Sequence, residues 1–166
     1  LIRACEEGRH VEKAMELFAE MQWWGLEPNA ITYNALISAC SKCYKVEKAM
    51  ELFAEMQQRG FPPGVITYNA LISACEKGHK VEKAMELFAE MQQRGFEPNV
   101  ITYTALISAC SKGHKAEKAI ELFPEMQPRG LVTNVITYTA LISACEKGHR
   151  VETVTYTHLT QPTKNR

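Results

Sequence analysis

The sequence predicts an all-α fold, an α-solenoid of helix-turn-helix repeats about 35 residues long. Cys5, Cys40, Cys75, Cys110 and Cys145 recur at that spacing. Each period contains two segments whose apolar residues follow the 3.6-residue spacing of a helix. Glycines punctuate the segments, and most units close on a linker bearing proline. A single helical hairpin has too little apolar surface to stand alone, so each unit must bury its face against its neighbours.

Residues 65–99 are the cleanest copy. Tyr68, Leu71, Ile72 and Cys75 fall at i, i+3, i+4 and i+7, and Gly78 is expected to end this first helix in the left-handed conformation. Val81, Ala84, Met85, Phe88 and Met91 form the stripe of a second helix, which Gly95 stops. Phe96-Glu97-Pro98-Asn99 links to the next unit.

Residues 1–29 are a truncated unit entered midway, since LIRACEEG matches LISACEKG. Its end carries Trp23 and Trp24 where the cleanest unit has Gln93 and Arg94; contact with a missing element is favoured over a stacking or docking surface. Residues 30–64 are a complete unit that departs at Cys43, Tyr44 and the Phe-Pro-Pro-Gly linker. Residues 100–134 repeat the pattern with two intrusions, Pro124 and Pro128, and with Leu131-Val132-Thr133-Asn134 as linker. An interior proline removes a helix hydrogen bond at a cost of about 3 kcal/mol, so a kink or early weakening is expected at Pro124. Residues 135–152 begin a further unit. Residues 153–166 leave the pattern, read as irregular or extended, and resemble a translated sequencing adapter, a non-native tail. Without a second helix, the last first helix is expected to expose Tyr138, Leu141, Ile142 and Cys145.

Lys plus Arg equals Asp plus Glu at 19 each, so any basic surface must be local. No apolar run reaches the roughly 18 residues of a membrane span. The five periodic cysteines read as small core residues rather than a disulfide framework, and Cys43 as a replacement of the helix-ending glycine rather than half of a dithiol. His79, His114 and His149 stand a unit apart and cannot converge on one ion; they read as solvent-facing turn residues, with His10 and His158 out of phase.

ITYNALI, a glycine-closed helix, VEKAMELFAEMQQRG and a proline-bearing linker together resemble the pentatricopeptide repeat (PPR) family, from Leu1 to about Glu152. The Trp, Leu-Gly and Tyr pattern of the tetratricopeptide repeat is absent. The resemblance implies a right-handed superhelix and single-stranded RNA as partner, one nucleotide per repeat. It further implies a role in organellar RNA processing, stability or editing, in a mitochondrion or plastid. The family's base-reading pairs fall on Asn34 with Gly64, Asn69 with Asn99, and Thr104 with Asn134; Thr139 lacks a partner and Asn29 belongs to the truncated unit. By the same analogy Asn69/Asn99 should favour a pyrimidine and Thr104/Asn134 an adenine. Ile31, Ile66, Ile101 and Ile136 would insert between bases, and Lys42, Lys77, Lys112 and Lys147 would meet phosphates, with Glu7 in the truncated unit. Lys13, Lys48, Lys83 and Lys118 read as a solvated outer face.

No cofactor, metal, membrane or small-molecule substrate is expected, and no catalytic constellation appears. The H-x-E and P-C-x-x-C motifs of a zinc deaminase, which some members append, are absent. An effector domain or protein belongs, if anywhere, to a longer parent. Blander readings stand beside each set of residues. Asn and Thr suit caps and turns, the isoleucines suit an inter-repeat core, and the lysines suit the helix C-terminal dipole. The alternative function is a protein-binding α-solenoid scaffold; it predicts an apolar groove where RNA predicts polar pairs and lysines.

Overall fold

The repeated ITY opening starts a helix because the residue two places before its isoleucine is extended and the threonine three places after that residue closes a cap. Asn29, Gly64 and Asn99 have φ of −129°, −130° and −112°, and the backbone N–H of each donates to Thr32, Thr67 or Thr102 Oγ1. In a computed structural model, the backbone of residues 2–148 and the side chains of residues 10–146 are described. The order is α1 (Ile2–Trp23), α2 (Ala30–Lys42), α3 (Val46–Gln58), α4 (Val65–Lys77), α5 (Val81–Gln93), α6 (Val100–Lys112), α7 (Ala116–Leu122) and α8 (Val135–Gly148). The tail at 153–166, His149, His158 and the side chains of Cys5, Glu7 and Lys147 lie outside the described residues.

The first helices α2, α4, α6 and α8 pack side by side in one row. The second helices α3, α5 and α7 each pack on the first helix of their own unit and on that of the next. The amphipathic stripes account for this arrangement. Tyr33, Tyr68 and Tyr103, Ile37, Ile72 and Ile107, and Cys40, Cys75 and Cys110 are fully buried, as are Met56 and Met91 on the second helices. Each buried large apolar side chain contributes about 1.5–3 kcal/mol. At each junction a second-helix phenylalanine meets the next unit's tyrosine edge-on, as in Phe53–Tyr68 at 5.8 Å and Phe88–Tyr103 at 5.6 Å. The phenol of each buried tyrosine donates to a second-helix glutamate 22 residues on: Tyr33 to Glu55 at 2.8 Å, Tyr68 to Glu90 at 2.9 Å, Tyr103 to Glu125 at 3.0 Å. None of the cysteines at 40, 43, 75, 110 and 145 is in a disulfide, and burial raises the thiols of Cys40, Cys75 and Cys110, the Cys75 thiol to about 11.

Several local expectations change. Gly78 ends α4 at φ −86°, outside the left-handed region, and the residue at positive φ is His79 at 57°. Lys80 N–H then donates to Cys75 O at 2.9 Å and closes the Schellman-type turn. Gly78 is needed for space instead, because a Cβ there would lie 2.2 Å from Val46 Cγ2; Gly113 stands the same way against Val81. His114 and Tyr44 take the left-handed position in their units, at 57° and 60°. Gly95, by contrast, ends α5 at φ 78°, as its place after the stripe implies. In the truncated unit Gly8 ends nothing, since α1 runs through it from Ile2 to Trp23.

Pro124 shortens the fourth second helix as expected: α7 stops at Leu122, and a 3-10 turn follows at Pro124–Met126. The core survives the interruption, with Leu122 and Phe123 buried and Met126 fully so. On α8, Tyr138 and Ile142 are 44% and 68% exposed where their counterparts are fully buried. Leu141 does not follow them and is 3% exposed. Trp23 and Trp24 are exposed and pack edge-on against each other at 4.8 Å.

Candidate nucleic-acid interface

The paired residues expected to act together are brought together, and a buried threonine joins each pair. Asn69 lies one turn into α4 and Asn99 caps α6, yet Asn69 Nδ2 donates to Asn99 Oδ1 at 3.3 Å. Thr102 Oγ1 donates to Asn69 Oδ1 at 2.6 Å and lies 3.2 Å from Asn99 Oδ1. Asn99 Oδ1 also accepts the backbone N–H groups of Ile101 and Thr102 at 3.0 and 3.2 Å. The linker asparagine is therefore both a helix cap and half of the pair, so the two readings of it coexist. Its oxygen is engaged by the cap, and its amide NH2 takes no part in it.

Thr104 and Asn134 meet through Thr137. Thr104 and Thr137 Oγ1 are 3.1 Å apart, and Asn134 Oδ1 accepts from Thr137 N and Oγ1 at 3.0 and 3.1 Å. The third pair lacks one side chain. Thr67 Oγ1 donates to Asn34 Oδ1 at 2.7 Å and accepts from Gly64 N at 3.1 Å, so glycine keeps the backbone part of the network only. Thr139 instead donates to the Val135 carbonyl of its own helix at 2.7 Å.

Thr67, Thr102 and Thr137 are fully buried and were not singled out by sequence reasoning. The signal was present, since the central T of ITY recurs in every unit from residue 30 on, but nothing in one chain shows that it bridges to the unit before.

The isoleucines are not inter-repeat core. Ile31, Ile66, Ile101 and Ile136 are 77%, 70%, 62% and 65% exposed. A groove of about 320 Å³ is lined by Ile101, Thr104, Asn134 and Ile136, so one polar pair and two aliphatic side chains share it. A second groove of about 660 Å³ has Lys42 and Lys77 in its wall with His10 and Tyr44. Lys112 lines a third, of about 340 Å³, beside Ile136 and Thr139, and is ion-paired with Glu76. On the second helices Lys13, Lys48 and Lys83 make i,i+3 pairs with Glu16, Glu51 and Glu86 at the surface. Among the described residues, no helix is long and apolar enough to cross a membrane.

Comparison with known proteins places this architecture. The maize pentatricopeptide repeat protein PPR10 is 31% identical, with a TM-score of 0.63 over 82% of this chain and 19% of its own. The PPR domain of Arabidopsis thaliana protein-only RNase P 1, crystallised in complex with tRNA, is 19% identical, with a TM-score of 0.71 over 88% of this chain and 80% of its own. Nuclear proteinaceous RNase P 2 from the same plant is 17% identical, with a TM-score of 0.73 over 90% of this chain and 34% of its own. At the last two identities the likeness speaks for the fold alone. No curated protein sequence matches significantly. Residues 1–42, 28–77, 63–112 and 99–147 each match the PPR repeat family. Those matches cover every unit of the helical stack, and the chain belongs to the PPR repeat family.

Proposed function

We propose that this chain binds single-stranded RNA, one nucleotide per repeat, with Asn69/Asn99 and Thr104/Asn134 reading successive bases. The observation that carries the proposal is the groove whose lining brings Thr104 and Asn134 together with the exposed Ile101 and Ile136. A base held there has an aliphatic surface on each face and hydrogen-bonding groups at its edge. PPR10, crystallised elsewhere with an 18-nucleotide psaJ RNA element, is a related protein with such a ligand.

The hydrogen-bond networks distinguish the two pairs. Asn99 has its oxygen occupied by the cap, and Asn69 has its oxygen occupied by Thr102 and one amide proton occupied by Asn99. The remaining groups are mainly N–H donors, which suit the acceptors of a pyrimidine edge. In the other pair, Thr137 gives its proton to Asn134 and so receives that of Thr104. Thr104 then offers an oxygen lone pair and Asn134 an NH2, an acceptor beside a donor, which suits the amino group and ring nitrogen of adenine. Asn34/Gly64 offers one amide and specifies its base weakly. By family resemblance the setting is RNA processing in a mitochondrion or plastid, and these repeats contribute binding alone.

A protein scaffold would use the same isoleucines. It gives no reason for a polar pair at two of the three intervals between them, and RNA does. Fluorescence anisotropy with short labelled RNAs tests the proposal. The wild-type chain should prefer a pyrimidine-adenine core over polypurine, and Thr104→Asn should move the second preference from adenine to pyrimidine by about tenfold, the worth of one hydrogen-bond pattern of about 1–3 kcal/mol. Equal binding of all sequences by both proteins would reject base reading.

A further inference from the structure

The repeated lysines are not equivalent, and we infer that Glu76 withdraws Lys112 from RNA, so that the residue at this position sets how many phosphate contacts the array makes. The inference rests on the RNA-binding reading above. Glu76 Oε1 is paired with Lys112 Nζ of the following unit and accepts Ser108 Oγ at 2.9 Å. Its side chain is 13% exposed, far less than the 65–77% of most second-helix glutamates in ion pairs. An exposed pair exchanges freely with water and is worth little. A sheltered carboxylate with two donors holds its lysine more persistently.

Glu76 also lines the groove of Ile101, Thr104 and Asn134, so the pair lies beside the proposed base site. The units on either side differ here by one residue. SACEK in residues 65–99 becomes SACSK in residues 30–64 and 100–134, placing Ser41 and Ser111 where Glu76 stands. Both serines are 4% exposed. Lys77 therefore follows a unit with serine at the position from which Glu76 holds Lys112, and no ion pair is recorded for Lys77 among the described residues. A phosphate reaching Lys112 must displace Glu76 or share its ammonium with a carboxylate. Counterion release counts only neutralised phosphates, so Lys112 adds little to affinity or to its salt dependence.

The test is a salt titration of RNA anisotropy with the intact chain and Glu76→Ser, a substitution that installs the residue both neighbours already carry. Glu76→Ser should bind about fivefold tighter near 0.1 M salt, and the slope of log affinity against log salt should steepen by about 0.7, one phosphate on a single strand. Adding Lys112→Met to Glu76→Ser should remove both gains, which identifies the released lysine rather than a general loss of negative charge. Unchanged affinity and slope in a Glu76→Ser protein of wild-type helicity, with the wild type binding RNA, would overturn the role of Glu76 alone. Absence of RNA binding by both proteins would overturn the reading beneath it.

Discussion

At the scale of single residues, a repeated position can be conserved in kind within one chain for a reason its identity does not announce. Gly78 looks like a helix-ending glycine, but its backbone suits any residue and His79 carries the positive φ. The neighbouring unit's Val46 fills the volume a side chain would need. Gly78→Ala is therefore expected to destabilise by overpacking, by about 1–3 kcal/mol, rather than to stabilise as a glycine-to-alanine change at ordinary φ would. Urea melts of Gly78→Ala, Val46→Ala and the double variant check this: the two should couple, with the second change recovering part of the first. A stabilised single variant would reject the packing account. His79 tolerates its strained conformation because the Lys80–Cys75 hydrogen bond closes the turn around it.

At the scale of elements, the hairpins show how much of a helix survives loss of its own hydrogen bonds when its apolar face is engaged. Pro124 breaks the regular ladder after Leu122, yet Phe123 still meets Tyr138 edge-on at 5.4 Å and Met126 remains fully buried. Tertiary burial holds the segment in place, while the local hydrogen bonds are reorganised into the 3-10 turn. Pro124→Ala should let α7 continue as α5 does, raising helical circular dichroism and adding up to about 3 kcal/mol of stability. No gain in either signal would mean the break is imposed by Pro128 and the linker that follows.

At the scale of the whole molecule, the buried tyrosines tie successive elements into one stack and give it an alkaline limit. Burial, followed by the hydrogen bond to a glutamate, pushes Tyr33 and Tyr103 up to about 12 and Tyr68 higher still. An unfolded tyrosine ionises near 10, so the fold favours the neutral phenol. The resulting stability is fully present below about pH 10 and is lost as pH rises through the folded values near 12, at about 1.4 kcal/mol per pH unit for each tyrosine. Denaturant midpoints should be flat to about pH 9 and fall above 10, with a shallower fall in Tyr68→Phe. An identical decline in that variant would assign the alkaline limit to other groups.

The repeat period, both helical stripes and the effect of Pro124 were legible in the sequence, because each depends on spacing along one chain, whereas the paired positions came only from the resemblance to the PPR family. Asn69 and Asn99 were paired by that resemblance; their contact was not derivable, since it depends on how the α4–α5 hairpin brings the next linker back to α4. Thr102 escaped notice for the same reason. A small hydroxyl residue inside a helix start has an obvious local use as a cap partner, and its second bond, to Asn69, crosses between units.

The sequence by itself determined the α-solenoid and its units, because helix-forming patterns and breakers act over a few residues and repetition multiplies their signal. Only the tertiary structure decided which residues of those units work together. Gly78 answers to Val46, Lys112 to Glu76 and Asn69 to Thr102, in each case across the boundary between one unit and another. The isoleucines illustrate the same division. An apolar residue early in a helix reads equally as core or as contact surface, and only the packing of the row leaves Ile31, Ile66, Ile101 and Ile136 in solvent. Periodicity is local and additive, whereas burial and charge pairing depend on neighbours that the fold, not the chain order, brings within a few ångströms.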